Sequence, residues 1–375
     1  MNRTNVYIRG LGAYTPYGEG ADIFFWSLCN GKESFSEIER FDTSDCMYRR
    51  GGEIKELNRF APVDPLALIF PVVEESLSDA GISDRNTCSL VLSTNFGDAD
   101  ARLNAFSRRE WRNCDFHSVT LRAAEKLGLG GICQTTSLSC SSGLSAVAAA
   151  CDLIRMGDAQ TVVACGYDLL TSFAWSGLSV LRTMTTDKVM PFSKDRSGTI
   201  FSEGAGAVVL SCEPGFAGLE VTGYGLSNNA FHMTAPDKHG DGYIRALSSA
   251  LNESGVALAD IDHVNLHGTG TRLNDPAEAQ AVKTALGKRA RQIPCTANKA
   301  ALGHAMGAAG ILETIATVYA MREGVIPPTI HIKPDDPACG VNLVRGKAAH
   351  LDIRNAVTLS SGIGGNNAAL VISRY

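Results

Sequence analysis

Four side chains that could carry acyl chemistry lie in small-residue segments of this 375-residue chain. Cys140 stands in Ser-Leu-Ser-Cys-Ser-Ser-Gly, directly before an Ala-rich run with helical periodicity. His267 ends an apolar, strand-like run and precedes Gly-Thr-Gly-Thr, whereas Lys299 and His304 share the segment Asn-Lys-Ala-Ala-Leu-Gly-His. A thiol that attacks a thioester, with histidines and a lysine that stabilise charge on oxygen, would perform covalent acyl transfer.

Cys140 lies at the predicted N-terminus of a helix. Free backbone N–H groups and the positive end of the helix dipole stabilise an anion there, so the sequence predicts a thiol with a lowered pKa. The backbone N–H of Cys140 could also donate to an oxyanion. The alternative is that Cys140 is one of eleven cysteines and serves only as a small buried apolar residue. Each histidine, taken alone, is more often a structural hydrogen-bonding residue than a catalyst.

Two further segments could support this chemistry. Lys299 and Glu313 are spaced so that both could reach the base of the loop that carries His304, where a buried ion pair would orient the site. The alternative for each is a solvated helix charge. The Gly-rich segment 360–367 follows an apolar strand, and its N–H groups could point into a cleft, although plain turns have the same composition. The sequence contains no phosphate-loop pattern and no metal-ligand spacing.

Composition narrows the class of protein. A chain of this length with 45% hydrophobic residues can build two domains or one large fused pair. The net charge of −5 provides no global basic field for nucleic acid. The eleven cysteines form no Cys-x-x-Cys pairs, which argues against a disulfide scaffold and a zinc site. Without a secretory apolar segment or a run of about 18 apolar residues, we expect a soluble cytoplasmic protein.

Strand-like and helix-like segments alternate, which indicates a layered α/β fold. A weak repeat divides the chain at the turn-rich segment 212–218. The predicted halves are 1–212, with the cysteine, and 213–375, with the histidines, the lysine and the Gly-rich loop. The matching pairs are strands at 6–12 and 219–225, helix-to-strand units at 77–93 and 251–267, and Ala-rich helices at 143–157 and 307–324. The alternative is that any two βα units look alike.

With these motifs assembled in order, the chain resembles the β-ketoacyl-acyl-carrier-protein synthases, the decarboxylating condensing enzymes of the thiolase fold. The resemblance begins at 8–18, includes 191–206 and ends in the C-terminal Gly-Ile-Gly-Gly loop. It is greatest to the elongating fatty-acid type and its type II polyketide relatives. It implies an α/β, thiolase-like fold in which two similar βαβαβ halves pack as α/β/α/β/α layers.

The resemblance also implies roles for residues. Cys140 matches the nucleophile that takes the acyl chain from a carrier-protein thioester. His267 and His304 match the pair that supports malonyl decarboxylation and stabilises the enolate oxygen. Lys299 matches the lysine that holds this network, with Glu313 as its partner. The family reaction is decarboxylative condensation of the acyl group with malonyl-carrier to give 3-oxoacyl-carrier and CO2.

Binding residues follow from the same resemblance. Thr269 and Thr271 match threonines that hydrogen-bond the phosphopantetheine arm, and the N–H groups of Cys140 and Ile363 match the oxyanion hole. Leu178 and Ile363 stand where the family usually has aromatic gates of the acyl pocket, which suggests a wider tunnel. The resemblance implies no cofactor besides the carrier's phosphopantetheine, and no metal. The expected partners are an acyl carrier protein and, in a dimer, a second copy or a related chain-length factor.

Several alternatives stay open at this level. The gate positions and a short segment 96–130 favour a dedicated polyketide, polyene or unusual lipid pathway over housekeeping fatty-acid synthesis. An acyltransferase on the same fold would keep Cys140 without decarboxylation, and a non-catalytic partner subunit would lack the nucleophile. The basic run 108–112 could dock an acidic carrier protein, or form a solvated helix face. The acyl chain, the specific carrier and the composition of the dimer are not determined by the sequence.

Overall fold

The computed structural model describes residues 4–60, 62–108, 115–215, 218–332 and 334–375. The predicted basic run 108–112 therefore lies outside the described residues except for Arg108. The strands are β1 (Tyr7–Thr15), β2 (Gly18–Glu19), β3 (Ser36–Glu37), β4 (Arg50–Gly51), β5 (Ser89–Ser93), β6 (Cys133–Thr136), β7 (Thr161–Asp168), β8 (Gly204–Ser211), β9 (Leu219–Asn228), β10 (His263–Asn265), β11 (Cys295–Thr296), β12 (Val325–Ile326), β13 (Ala349–His350), β14 (Asn355–Gly362) and β15 (Asn366–Arg374).

The α-helices of the described residues alternate with these strands. They are α1 (Ala21–Cys29), α2 (Leu66–Asp79), α3 (Ala99–Arg108), α4 (Phe116–Leu127), α5 (Ser142–Met156), α6 (Ser172–Val180), α7 (Asp241–Ser254), α8 (Asn274–Leu286), α9 (Lys299–Leu302) and α10 (Ala309–Glu323). Helices α5, α7 and α10 each end at a glycine in the left-handed region, at positions 157, 255 and 324. These are the helix ends that the sequence predicts, because glycine adopts that conformation without a steric penalty.

The large sheet has a symmetric strand order. It runs β6-β5-β7-β8-β1 and continues as β9-β15-β14-β10-β11. Read outward from the boundary between β1 and β9, the two groups of five have the same strand order, since β1 corresponds to β9, β5 to β10, and β6 to β11. Only one residue pair, Tyr7 with Glu220, joins β1 to β9. The repeat predicted from the sequence is therefore present in the topology, whereas the boundary at residue 212 stays a prediction.

Three apolar cores separate five layers. Helices α5 and α10 pack together between the two strand groups, and their buried faces share one core with β1, β8 and β15. On the outer face of the first group, α2 and α4 cover β5 and β7. On the outer face of the second group, α7 and α8 form a separate core with β10 and β14. The predicted α/β/α/β/α layering is confirmed.

Burial on both faces explains the composition of the central helices. In α10, twelve residues from Ala309 to Met321 are buried, because the helix lies between sheets and exposes almost no polar face. Small residues at the α5–α10 contact allow close approach: a methyl group added at Gly143 would lie 2.7 Å from the backbone nitrogen of Ile311. Within the described ranges, no helix is long and apolar enough to cross a membrane.

Candidate active site

A cavity of about 930 Å³ opens where the carboxyl ends of parallel strands from both halves meet. Residues after β6 and β10 contribute Cys140 and His267 to its wall, and the segment after α9 contributes His304. Thr269, Thr271, Leu178 and Ile363 also line it. The structure therefore gathers seven of the predicted site residues, from 140 to 363 in the chain, around one space. Lys299 and Glu313 lie directly behind His267, away from the cavity.

Cys140 precedes the first residue of α5 by two positions. Ser139 has a φ of 53°, a left-handed conformation that is costly for a non-glycine residue and turns the chain sharply into the helix. The carbonyl of Cys140 accepts a hydrogen bond from the Ser360 hydroxyl at 2.8 Å. A methyl group added at Gly362 would lie 2.8 Å from the Cys140 nitrogen. Strand β14 therefore lies directly against the backbone of the thiol residue.

The predicted lowering of the thiol pKa is wrong. Burial raises the pKa of Cys140 to about 11, because a thiolate loses its hydration in this site. The charge of Lys299 and a hydrogen bond from the Asn95 side chain act in the opposite direction and lower the pKa, and burial outweighs them. The position before a helix is as predicted, but the depth of the site determines the protonation state.

The two histidines are held as neutral imidazoles with the same tautomer. Burial and the nearby Lys299 charge lower the pKa of both His267 and His304 well below the ordinary value. The ammonium group of Lys299, which can only donate, lies 3.2 Å from Nδ1 of His267. The backbone N–H of Met306 donates to Nδ1 of His304 at 3.1 Å. Since Nδ1 accepts in each ring, Nε2 carries the proton, and both imidazoles can donate to an oxyanion.

Lys299 is the centre of a buried ion-pair network. Its ammonium group contacts a carboxylate oxygen of Glu313 and donates to the carbonyl oxygen of His267 at 2.7 Å. Burial raises the pKa of Glu313 to about 7, although the Lys299 charge opposes this shift. Both side chains are almost fully buried. The network therefore fixes the ring of His267 from behind, as a buried pair with additional hydrogen bonds can do.

The rings and hydroxyls around the cavity have defined neighbours. The His267 and His304 ring centroids are 5.3 Å apart in an edge-to-face arrangement, and Phe201 stacks on His304 at 5.5 Å. The hydroxyl oxygens of Thr269 and Thr271 are 2.9 Å apart. The histidines therefore have an apolar cover on one side, and the threonines form a polar patch on the same wall.

The Gly-rich segment 360–367 differs from the prediction in one respect. It is not an open loop, because β14 continues to Gly362 and a short turn leads into β15. Gly364 and Gly365 adopt φ values of 88° and 79°. Their N–H groups donate to the carbonyl oxygens of Met233, at 2.8 Å, and Gly362, at 3.2 Å, so they do not point into the cavity. Ile363, at the tip of the turn, is the residue of this segment that remains a candidate for the oxyanion hole.

The comparisons with known proteins agree with this geometry. The sequence profile of the β-ketoacyl synthase N-terminal domain matches residues 3–214, and that of the C-terminal domain matches residues 219–333. The chain belongs to the β-ketoacyl synthase family. The 3-oxoacyl-[acyl-carrier-protein] synthase 2 of Synechocystis sp. is 30% identical, with 100% of this chain and 99% of that protein covered. The enzyme of the same name from Staphylococcus aureus (strain COL) is 27% identical over 99% of this chain and 98% of the relative.

Solved ketosynthase structures have the same fold. The ishigamide ketosynthase/chain length factor is 29% identical, covers 100% of both chains and superposes with a TM-score of 0.90. A type II polyketide acyl-carrier protein in complex with its ketosynthase gives a TM-score of 0.91 at 24% identity, again over 100% of both chains. The thiolase-like fold predicted from the sequence is thereby confirmed for this ketosynthase.

Sequence reasoning did not identify two buried carboxylates of this β-ketoacyl synthase. Glu278 on α8 accepts from the backbone N–H groups of His267 and Gly268, at 2.6 and 2.9 Å. Asp168, the last residue of β7, accepts from the N–H groups of Asn95, Phe96 and Gly307, at 2.9, 3.0 and 2.6 Å. An acidic residue at the end of a mostly apolar strand is a signal for Asp168. A single Glu in a helical run gives no comparable signal for Glu278.

Asn95 is a third residue that the sequence did not indicate. It follows β5 and lines the cavity, and its side chain acts to lower the pKa of the Cys140 thiol. The Ser142 hydroxyl lies 3.5 Å from its amide oxygen. Within the described ranges, no group of three or more His, Cys, Asp or Glu side chains could hold a metal ion.

Proposed function

We propose that this β-ketoacyl synthase condenses an acyl group held on Cys140 with malonyl-acyl-carrier protein, giving 3-oxoacyl-carrier protein and CO2. The observation that carries the proposal is the matched pair of imidazoles. His267 and His304 both present a protonated Nε2 beside a buried thiol, as an enolate oxygen requires. The names of the relatives, 3-oxoacyl-carrier-protein synthases, point to the same reaction.

The first half-reaction is transfer of the acyl group. The sulfur of Cys140 loses its proton and attacks the thioester carbon of an acyl-carrier protein. The carbonyl electrons move to oxygen, where the N–H groups of Cys140 and Ile363 would stabilise the charge. When the tetrahedral intermediate collapses, the carbon–sulfur bond to the pantetheine breaks and its electron pair leaves with the sulfur. The carrier thiolate takes up the proton that Cys140 released, and the acyl group remains on the enzyme.

The second half-reaction forms the carbon–carbon bond. Malonyl-carrier protein loses CO2, and the electron pair of the broken bond becomes an enolate whose oxygen accepts from Nε2 of His267 and His304. A neutral donor pair suits this step, because it stabilises the developing charge without protonating the carbon. The enolate carbon attacks the acyl carbonyl, and expulsion of the Cys140 thiolate releases the 3-oxoacyl product. Lys299 with Glu313 would hold His267 in the donor orientation.

The substrate carrier and the dimer partner belong to the same proposal. Solved neighbours include a ketosynthase in complex with its acyl-carrier protein and another in complex with its chain length factor. We propose an acyl carrier protein as substrate carrier, no further cofactor, and a dimer with a second copy or with a chain-length-factor-like chain.

The aliphatic Leu178 and Ile363 at the cavity wall support a dedicated polyketide, polyene or unusual lipid pathway. Cysteines without paired spacing support a cytoplasmic location.

The test is product analysis by mass spectrometry. The protein is incubated with malonyl-carrier and a panel of acyl-carriers, and a carrier-bound product two carbons longer with a 3-keto group is expected. The Cys140→Ala variant should give neither acyl-enzyme nor product. Acylation of Cys140 without an extended product, in the presence of a chain-length-factor partner, would contradict condensation and favour an acyltransferase. A covalent adduct that persists in Cys140→Ala would remove Cys140 as the nucleophile.

A further inference from the structure

One residue of the cavity wall carries a buried hydroxyl that has no hydrogen-bond partner among the described residues. Thr199 is 1% exposed, and no atom of the described residues pairs with its Oγ1. Nine buried side-chain polar atoms in the described part of the chain are unpaired in this way, and Thr199 is the one residue among them that also lines the cavity. A buried hydroxyl without a partner is costly, so one on a residue that lines a substrate cavity is a candidate for binding the substrate.

The backbone of Thr199 is held firmly. Its N–H donates to the Thr183 carbonyl at 2.8 Å, and its carbonyl accepts from the Thr185 N–H at 2.9 Å. Ser197, Thr199 and Phe201, at alternate positions, all line the cavity. Ser197 is exposed, and Phe201 stacks on His304. Thr199 therefore lies about 7 Å along the chain from Phe201, whose ring covers His304, and on the side nearer to solvent. This distance is the spacing of alternate residues in an extended segment.

This segment contacts the one that carries the paired threonines. The guanidinium of Arg196 donates to the Thr271 carbonyl at 3.2 Å. A methyl group added at Gly270 would lie 2.9 Å from the Gly198 carbonyl oxygen. Thr199 and the pair Thr269–Thr271 consequently line the same stretch of the cavity, between its mouth and the histidines.

The hydroxyl groups of Thr199, Thr269 and Thr271 differ in the hydrogen bonds that they can still form with a ligand. Thr269 donates to a carboxylate oxygen of Asp275 at 3.4 Å, so Thr271 is the donor in the 2.9 Å contact between the two threonines. Both protons of the pair are thereby used, and the Thr271 oxygen keeps lone pairs that can accept. Thr199 has the complementary property, since its proton is unused. A secondary amide needs one acceptor for its N–H and one donor for its carbonyl.

We propose that Thr199 binds the phosphopantetheine arm by donating its hydroxyl proton to an amide carbonyl of the arm, while Thr271 accepts from an amide N–H. This inference rests on the proposed function, because it assumes a substrate carried on such an arm. Both the acyl-carrier and the malonyl-carrier enter on that arm. Loss of the Thr199 hydroxyl therefore weakens binding in both half-reactions.

The test compares Thr199→Val, which removes the hydroxyl at nearly constant volume, with Thr199→Ser, which keeps it. For Thr199→Val we expect KM to rise about tenfold for both acyl- and malonyl-carrier, as loss of one neutral hydrogen bond predicts, with kcat within about twofold. Thr199→Ser should keep the wild-type KM. The melting temperature of Thr199→Val should not fall, because the hydroxyl that it removes is unpaired in the free protein.

An amide-free substrate separates hydrogen bonding from packing. Acylation of Cys140 by an acyl ethanethiol thioester, which has no amide, should proceed equally in the wild type and Thr199→Val. A slower reaction of Thr199→Val with this probe, a KM change for malonyl-carrier alone, or an unchanged KM for both carriers would each overturn the proposal. The acylation assay reports on Thr199 even when no condensation occurs. Absence of any 3-oxoacyl product from the wild type in the presence of a chain-length-factor partner would instead refute the proposed function.

Discussion

At the scale of single residues, burial disfavours charge on both the nucleophile and the histidines. It keeps the two imidazoles neutral, which suits donation to an enolate, and it also keeps the Cys140 thiol protonated, which opposes nucleophilic attack. Lys299 and Asn95 act to lower the pKa of the Cys140 thiol, but burial outweighs them. We infer that formation of the thiolate is the demanding proton transfer of the first half-reaction.

The thiol can be titrated directly. Because burial raises the pKa of Cys140 to about 11, alkylation by iodoacetamide should accelerate about tenfold per pH unit and level off only near that value. Asn95→Ala removes a hydrogen bond that favours the thiolate, so it should slow alkylation several-fold at pH 8. Rates are measured by mass spectrometry, with Cys140→Ala as the background for other cysteines. A plateau below pH 8 would contradict the raised pKa.

His304 should matter more for condensation than for acylation. His304 lines the cavity and its Nδ1 accepts from Met306, which leaves Nε2–H as the donor to the proposed enolate oxygen. His304→Ala should therefore lower the decarboxylation of malonyl-carrier about 100- to 1000-fold. Acyl-enzyme formation should fall less than tenfold. Both rates are followed on the same preparation, by CO2 release and by intact mass. Equal losses in both half-reactions would assign His304 a structural role or a role in acylation.

At the scale of elements, the contact between β14 and the turn before α5 positions the N–H groups of the proposed oxyanion hole. Gly362 in β14 has no room for a side chain, since an added methyl group would lie 2.8 Å from the Cys140 nitrogen and 3.0 Å from the Leu138 carbonyl oxygen. The φ of Ser139 places Cys140 against this strand. A shift of either element by a fraction of an ångström would move the N–H donors away from the reacting oxygen.

Two glycine substitutions distinguish the effect of disturbing the contact between β14 and Cys140 from the general effect of adding a methyl group. Gly362→Ala should lower both half-reactions by at least tenfold and also lower stability, because the backbone atoms that it meets cannot yield. Gly177→Ala in α6 meets no atom within 4 Å, so it should stabilise the protein by about 0.5–1 kcal/mol through helix propensity. Urea denaturation and acylation kinetics of both variants provide the measurement. Normal acylation by Gly362→Ala would contradict the assigned contact.

At the scale of the whole molecule, Asp168 joins the two halves at the cavity. Its carboxylate accepts from Asn95 and Phe96 in the first half and from Gly307 in the second. The first two residues line the cavity, and Gly307 follows the segment that orients His304. This carboxylate adds a polar link at the cavity to the apolar contact of α5 with α10, which also joins the two halves.

Asp168→Asn should therefore destabilise the protein by about 2–3 kcal/mol at pH 7.5, because its amide cannot accept from all these donors. Burial raises the pKa of Asp168 to about 6, so the folded state binds a proton more readily than the unfolded chain. The contribution of this group to stability consequently increases as the pH falls from about 6 toward the ordinary value of 3.8. The asparagine variant has no carboxyl group at this position and therefore lacks this pH-dependent increase. Urea denaturation at pH 5 and pH 7.5 checks this, and identical pH dependence in both proteins would contradict it.

Much of this architecture was predictable because local rules operate at short range. The strands at 89–93 and 219–225, the glycines that end α5, α7 and α10, and the position of Cys140 before a helix all follow from periodicity and capping. The roles of His267, His304 and Lys299 came from resemblance, and the structure brings these residues into contact across 37 positions of the chain.

By itself, the sequence determined the elements, their alternation, the repeat and the residue types available for acyl chemistry. The tertiary structure decided the protonation state of Cys140, the tautomers of both histidines and the turn at 363–365. It also decided the contacts through which four further residues act around the cavity, namely Asn95, Asp168, Thr199 and Glu278. These properties depend on the depth of burial and on partners that lie far apart in the chain. Desolvation and hydrogen bonding act through space, and their sum at one atom is defined only when all the surrounding elements are in place.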